Sequence, residues 1–301
     1  MKSSAITALL ADLALGEPRA SLHPTIWMGK WVASGRSRRA SRNAAGSFAE
    51  GALLVSAGML MSAASVAIVE RLIALSPVAA QSAVRGLALK PALSLSPLVR
   101  AGLDVQRALE LHDLAAARRL LGWHLVSRDT TSLSVSEVAG AAVESVAENL
   151  SDSVVAPLLA FRLGGLTAAY VYRMINTADA MLGYHTPELE WFGKSAARTD
   201  DAANLGPSRL TAALICCTAM VGGGSSSRAF RTALRDARRT ASPNAGWPMA
   251  AMAGALGVHL TKRDHYSLND PGRQPRPSDI GRACRIAVAG AVVAALATDL
   301  A

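Results

Sequence analysis

Residues 51–69 read GALLVSAGMLMSAASVAIV, nineteen positions without a charged side chain. As a helix this run covers about 28 Å, close to the hydrocarbon thickness of a bilayer. Lys30, Arg36, Arg38, Arg39 and Arg42 precede it, and Glu70-Arg71 ends it. Basic residues gathered before an apolar span mark the cytoplasmic side. The stretch predicts a transmembrane helix and sets the reading of everything else.

The whole chain agrees with it. Of 301 residues, 51% are hydrophobic and only 18% charged, with a mean hydropathy of +0.26. That balance favours a membrane protein over a soluble Ala-rich bundle. Aromatics are just 4%, so Ala, Gly and Ser supply much of the apolar character. Small residues let helices pack closely where lipid removes the hydrophobic drive between them. The net charge is +9 and the sequence pI near 10.1. Its basic residues lie between apolar stretches, which fits membrane topology and argues against nucleic-acid binding. The positive field also suits phosphorylated substrates. Cys216, Cys217 and Cys284 form neither a disulfide framework nor a ligand spacing and read as packing residues. Residues 1–15 lack a signal-peptide layout, because Asp12 interrupts the apolar core and Gly16-Glu17-Pro18 is no cleavage site.

Weaker apolar segments follow. Residues 72–84 are short and contain Pro77, so they extend a hairpin or lie in the interface. Residues 154–172 are interrupted by Arg162 and Gly164-Gly165, residues 210–227 end in a Gly/Ser turn, and residues 286–298 are short for a span. In residues 240–261 the opening Ser242-Pro243-Asn244-Ala245-Gly246-Trp247-Pro248 leaves only the latter half to span. Residues 103–125 predict one amphipathic helix lying on an apolar surface, and residues 262–277, with three prolines, a loop. No strand alternation of useful length is present. The expectation is an all-α, polytopic integral membrane protein of one domain, 1–301. It has four to five apolar helices, some broken or re-entrant, with amphipathic interfacial helices beside them.

Four polar blocks punctuate this pattern. The first joins Arg128 and Asp129 to Glu144, Glu148, Asn149 and Asp152. Glu144, Glu148 and Asp152 recur at i, i+4 and i+8, one acidic stripe on a helix, whose mutual repulsion calls for Mg²⁺, an Arg or solvent. The second block holds Asn176 and Asp179, and the third Arg198, Asp200, Asp201, Asn204 and Arg209, with Asp201 and Asn204 at i, i+3. The fourth centres on Asn244, where the first turn of a following helix offers free N–H groups to a phosphate or makes a simple turn. Polar residues between apolar segments are costly, so function is the default reading. The six histidines lack paired ligand spacing, and no phosphate-binding Gly-x-x-x-x-Gly-Lys-Ser/Thr run occurs. If residues 154–172 crossed the bilayer once, the blocks at Asp152 and Asn176 would face opposite sides. A shared site therefore needs this segment re-entrant, broken near Gly164-Gly165, or carrying the site within the membrane.

In order along the chain, these blocks resemble the CobD/CbiB family, the adenosylcobinamide-phosphate synthases. The matching stretches are Asp12 with Gly16-Glu17-Pro18, His23-Pro24 with Trp27-Met28-Gly29, Arg128-Asp129-Thr130, and residues 144–157. Asn176-Thr177 with Asp179, Met181 and Gly183-Tyr184 follow, then Phe192-Gly193, Ala197-Arg198, Asp200-Asp201, Asn204, Pro207 and residues 242–248. Ser153 stands where the family usually has Gly. The resemblance implies a multi-pass protein of the cell (inner) membrane that amidates the f-side-chain carboxylate of (adenosyl)cobyric acid with aminopropanol or its O-phosphate. It implies ATP as the energy source and Mg²⁺ as cofactor. Glu144, Glu148, Asp152, Asp200 and Asp201 would then be catalytic, the first three as Mg²⁺ ligands. Arg128, Arg198 and Arg209 would neutralise phosphates, and Asn149, Asn176 and Asn244 would orient substrate, with Asp129, Asp179 and Asn204 beside them. Other enzymes of the cobalamin pathway are expected partners. Two other classes compete: an Mg-dependent membrane phospho- or prenyltransferase, and a transporter or scaffold for corrinoid-pathway enzymes. The first lacks its usual acidic repeats here, and the transporter lacks two matching halves.

Overall fold

The computed structural model describes residues 3–41, 43–263 and 265–300; Arg42, counted above in the basic stretch, lies outside them. Helix follows helix along the chain: α1 (Ser4–Leu15), α2 (Pro24–Ser37), α3 (Ala44–Ala74), α4 (Val78–Leu89), α5 (Leu95–Glu110), α6 (Leu114–His124) and α7 (Val135–Leu150). Then come α8 (Ala156–Leu182), α9 (Lys194–Ala203), α10 (Leu205–Thr218), α11 (Ser226–Asp236), α12 (Gly246–Leu256), strands β1 (Leu260–Lys262) and β2 (Tyr266–Leu268), and α13 (Pro277–Leu300). The protein is an all-α polytopic membrane protein. Among the described residues, four stretches are long and apolar enough to cross a bilayer: Ala44–Ala74, Val135–Leu182, Leu205–Gly222 and Pro277–Leu300.

Two compact units form. The first comprises residues 1–93, 156–204 and 295–301. Its α3 contains the uncharged run 51–69 and turns Leu53, Leu60, Ile68 and Leu72 outward, each at least 60% exposed. Such a face is stable only against hydrocarbon. The inner face of α3 is cut for close approach. At Gly51 an added Cβ would collide with the Phe192 carbonyl oxygen, and at Gly58 it would meet Met174. Trp31 Nε1 donates to the Leu54 carbonyl at 3.1 Å and pins α2 to α3. The Asp299 carboxylate accepts from the N–H groups of Ala5 and Ile6, both at 2.9 Å, which satisfies free donors of the first turn of α1. In α8 the helix breaks at Gly164-Gly165, as the sequence predicts. Gly165 has φ +66°, a left-handed value that an L side chain rarely adopts.

The second unit comprises residues 94–155 and 205–294. At its centre α12 is buried along nearly its whole length, with Trp247 alone partly open. The apolar half of residues 240–261 is thus a short core helix and not a span; eleven residues reach about 16 Å, half a bilayer. Two other expectations change. Residues 103–125 do not form one helix: α5 ends at Glu110, His112 takes φ +59°, and the Asp113 carboxylate caps α6 through Ala116 N–H at 2.8 Å. The segment read as a loop holds a small hairpin, pairing Leu260 with Leu268 and Lys262 with Tyr266. Buried acids fix the ends of this unit. Asp279 accepts from Arg273 at 2.6 Å on each oxygen and from Arg282 at 2.9 Å, which anchors the start of α13. Asp236 takes both Arg235 and the Asn269 N–H, tying the hairpin to α11.

Gly51→Val tests the close approach between α3 and Phe192. It should destabilise the detergent-solubilised protein by about 1–3 kcal/mol, the usual range for overpacking. Thermal unfolding should show a lowered midpoint, whereas Ser56→Val, on the exposed face of α3, should leave it unchanged.

Candidate functional site

In the second unit the chemistry gathers around α7. A capping box starts this helix: Glu137 N–H donates to the Ser134 hydroxyl, and Ser134 N–H donates to the Glu137 carboxylate. Ala139, Ala142, Val143 and Val146 are fully buried along it. Glu144, in their midst, is only 5% exposed. Arg128 Nη2 lies 3.8 Å from its Oε2, an ion pair too long for a hydrogen bond. Oε1 is buried and has no hydrogen-bond partner among the described residues.

The hairpin brings two groups to this carboxylate that the sequence reading missed. Lys262 and Tyr266 are direct cross-strand partners, so they share one face of the hairpin. The Lys262 ammonium and the Tyr266 hydroxyl both bear on Glu144, and the Glu148 charge bears on Tyr266 as well. Burial, then the charges of Glu144 and Glu148, push the Tyr266 phenol well above its ordinary range. Three-residue strands between prolines and glycines leave no alternation for a sequence reading to find.

Regular α-helix ends at Leu150, so Glu144 and Glu148 stand on α7 while Asp152 lies in the π turn Ser151–Val155 that follows it. Among the described residues, no three His, Cys, Asp or Glu side chains gather as ligands of one metal ion. Asn149 donates back to the Ser145 carbonyl and hydroxyl of its own helix. Asp129 turns away from the cluster: it is exposed, accepts from both the N–H and hydroxyl of Thr131, and those bonds hold its carboxyl below the usual range.

Elsewhere in this unit Arg209 and Asn244 meet, two residues predicted separately. Arg209 Nη1 donates to Asn244 Oδ1 at 2.7 Å and to the Ser208 hydroxyl at 3.0 Å, and Nη2 donates to the Pro243 carbonyl. The guanidinium stacks 5.0 Å from the Trp247 ring centroid. Arg238 adds a second positive charge nearby.

The first unit holds its own polar chain on α8 and α9. Asn204 Nδ2 donates to Asp200 Oδ2 at 2.9 Å, and Asn176 Nδ2 reaches Asp200 Oδ1 at 3.5 Å. Tyr172 donates to Asn204 Oδ1 at 2.9 Å, and Arg173 donates to Asn176 Oδ1 at 3.3 Å. Asn204 is therefore a partner of Asp200 at i, i+4, a pairing beyond the i, i+3 spacing to Asp201 noted in the sequence. Asp201 instead feels Arg198, one turn earlier on α9. Burial pushes the Asp200 carboxyl up, against its bonds to Asn204 and Asn176 and with help from the Asp201 charge. Asp179 stands at the end of α8 against the Gly183 turn.

A second polar network in this unit, buried at Asp12 and Lys90 and open to the surface at Glu17, was given no role from the sequence. Lys90 Nζ, nearly sealed from the surface, lies 3.7 Å from Asp12 and 3.4 Å from Glu17. Glu17 Oε2 accepts from His23 Nε2 at 2.6 Å, while His23 Nδ1 accepts from the Thr25 N–H and hydroxyl and so caps α2. Burial opposes the charge on Glu17, but His23 and Lys90 outweigh it and hold its carboxyl below the usual range. Asp12, Glu17 and His23 lie in stretches that carry the family resemblance, and Lys90 is a lone charge in the run Leu87-Ala88-Leu89-Lys90-Pro91-Ala92-Leu93.

The family model described as CobD/Cbib protein matches residues 5–287. A probable cobalamin biosynthesis protein CobD of Methanothermobacter thermautotrophicus is 40% identical over 269 residues, covering 88% of this chain and 86% of its own length. The cobalamin biosynthesis protein CobD of Dehalococcoides mccartyi is 39% identical over 277 residues (91% and 89%). That of Mycobacterium tuberculosis is 40% identical over 299 residues (95% and 92%). No solved structure matches the chain.

Asp200 gives a prediction that separates stability from function. Its folded-state pKa lies above the unfolded one, so the folded state holds the proton more tightly. Stability from this group rises as pH falls through that range and is lost as the carboxyl ionises. Asp200→Asn removes the buried charge yet keeps an acceptor for Asn204. It should leave the thermal midpoint at neutral pH unchanged or raised, and flatten its rise on mild acidification, as measured by thermal unfolding across pH 4–8.

Proposed function

The chain belongs to the CobD/CbiB family, and we propose that within cobalamin biosynthesis it is an amide-forming ligase of the inner membrane. Its substrates are (adenosyl)cobyric acid, through the f-side-chain carboxylate, and (R)-1-aminopropan-2-ol O-phosphate, with ATP as co-substrate. A carboxylate does not react with an amine at neutral pH without activation. Attack of a carboxylate oxygen on the γ-phosphorus of ATP releases ADP and leaves an acyl phosphate. The amine nitrogen then attacks the acyl carbon, the C–N bond forms, the C–O bond to phosphate breaks, and inorganic phosphate departs. An ammonium nitrogen enters with three protons and ends with one; one of the two it loses leaves on inorganic phosphate and the other passes to water.

The observation that carries this reading is Glu144, a buried carboxylate with one unpartnered oxygen, flanked by Arg128, Lys262 and Glu148. The donor set fits Mg²⁺, which is commonly held by one or two carboxylates while water and substrate phosphates complete its coordination. Glu144 and Glu148 would hold it, and when bound it would neutralise phosphate oxygens. Arg128 and Lys262 supply positive charge beside this pair. Arg209, kept in place by Asn244, Ser208 and Trp247, presents a further cation suited to phosphate. In the other unit Asp200, with Asn176 and Asn204, offers a hydrogen-bonding edge suited to amide-bearing substrate groups, and Arg198 a cation.

Detergent-purified protein given cobyric acid, aminopropanol phosphate and Mg-ATP should yield cobinamide phosphate, detected by mass, with one ADP per amide. Folded protein that binds the corrinoid without turnover would overturn the ligase in favour of a scaffold. Glu144→Gln should cut product formation at least a hundredfold without lowering the thermal midpoint. Full activity with unchanged Mg²⁺ dependence in that variant would remove Glu144 from the metal role.

A further inference from the structure

Within the first unit an apolar cavity of about 310 Å³ runs along α3. Gly58, Ser62, Ser65 and Val69 form its floor, and Trp31 and Met174 stand among its walls. Spacings of four, three and four residues keep the floor on one helix face. From Gly58 to Val69 the rise is about 16 Å, roughly half of a hydrocarbon core about 30 Å thick. The groove therefore has the length of one leaflet.

Its chemistry is equally restricted. No charged side chain lines it. The Tyr170 hydroxyl is committed to the Ala88 carbonyl at 2.7 Å, and the Trp31 indole N–H to the Leu54 carbonyl at 3.1 Å. What remains is a wall of aromatic, thioether and small aliphatic groups, with the small hydroxyls of Ser62 and Ser65 on the floor. The groove is too small for a helix about 10 Å across, which would need roughly 1,300 Å³ over the same rise, and suits a slender chain. The flank is open: Met61 and Trp27 are each about half exposed, and the neighbouring face of α3 carries the outward Leu60 and Ile68. A ligand enters sideways from the bilayer, and at that depth the bilayer supplies hydrocarbon.

We propose that this groove seats the acyl chain of a membrane lipid, held between α2, α3 and α8. The small residues of the floor make the room, and Met174 and the two tryptophans close around the chain. None of the residues that line it belongs to the carboxylate clusters described above, and the proposal does not depend on the ligase reading.

The tryptophans supply the probe. Trp31 is made the sole indole by Trp27→Phe, Trp123→Phe, Trp191→Phe and Trp247→Phe, and the full chain is placed in nanodiscs of phosphatidylcholine brominated at mid-chain. Emission should fall at least twofold relative to unbrominated lipid. Ser65→Phe, which fills the floor, should restore at least half of the lost signal. Ser56→Phe, on the exposed face of α3, should restore none. Should the four-fold variant misfold, native mass spectrometry of the otherwise unaltered chain gives the same answer, with one retained lipid lost on Ser65→Phe. Quenching that ignores Ser65→Phe overturns the proposal, because Trp31 would then be reporting only boundary lipid. Disulfide-linked dimers through Ser62→Cys overturn it too, by placing a second copy in the groove.

Discussion

Hydrocarbon offers no partner to a backbone N–H or C=O, and that constraint limits where a spanning chain can stop being regular helix. The break in α8 falls on Gly164-Gly165, where a left-handed residue carries no side-chain penalty. The passage out of α7 is a π turn, which changes the helical phase while its backbone stays hydrogen-bonded. Where α3 approaches the Phe192 backbone, a glycine makes the contact possible. Irregularity is confined to positions chosen for it, and those positions aim the polar side chains.

The sequence made the large features legible because their signals are extreme. Nineteen uncharged residues bordered by arginines admit one reading, and Gly-Gly within an apolar segment marks a break. Helix ends set by a single cap were not legible. Asp113 splits a continuous amphipathic pattern because its carboxylate caps α6, and nothing in the period of the apolar residues announces this. The length of α12 was visible, but its surroundings were not: a short apolar helix looks alike in lipid and in a protein core.

Site residues show the same limit at finer scale. Asp200 and Asp201 are adjacent, so packing alone decides which faces Asn176 and Asn204 and which faces Arg198. A rotation of about 100° per residue separates the two outcomes. Lys262 and Tyr266 reach Glu144 through a hairpin whose register cannot be read from three-residue strands. Arg209 and Asn244 could be proposed individually, since each follows an apolar or Pro-rich boundary, but their 2.7 Å contact is a property of the fold.

The buried acids divide into two kinds, and the division carries functional weight. Asp279 and Asp236 are saturated by arginines and backbone N–H groups, the arrangement that lets a buried charge serve as an anchor. Glu144 is buried beside fully apolar residues of its own helix, with Arg128 3.8 Å away, Lys262 and Tyr266 bearing on it from the hairpin, and one oxygen left without a hydrogen bond. A carboxylate so placed costs stability, and a Gln or an aliphatic side chain of similar size would cost less. Stability therefore does not account for Glu144. In the ligase proposed above, a cation or a donor that arrives with a phosphate-bearing substrate would supply what the chain does not.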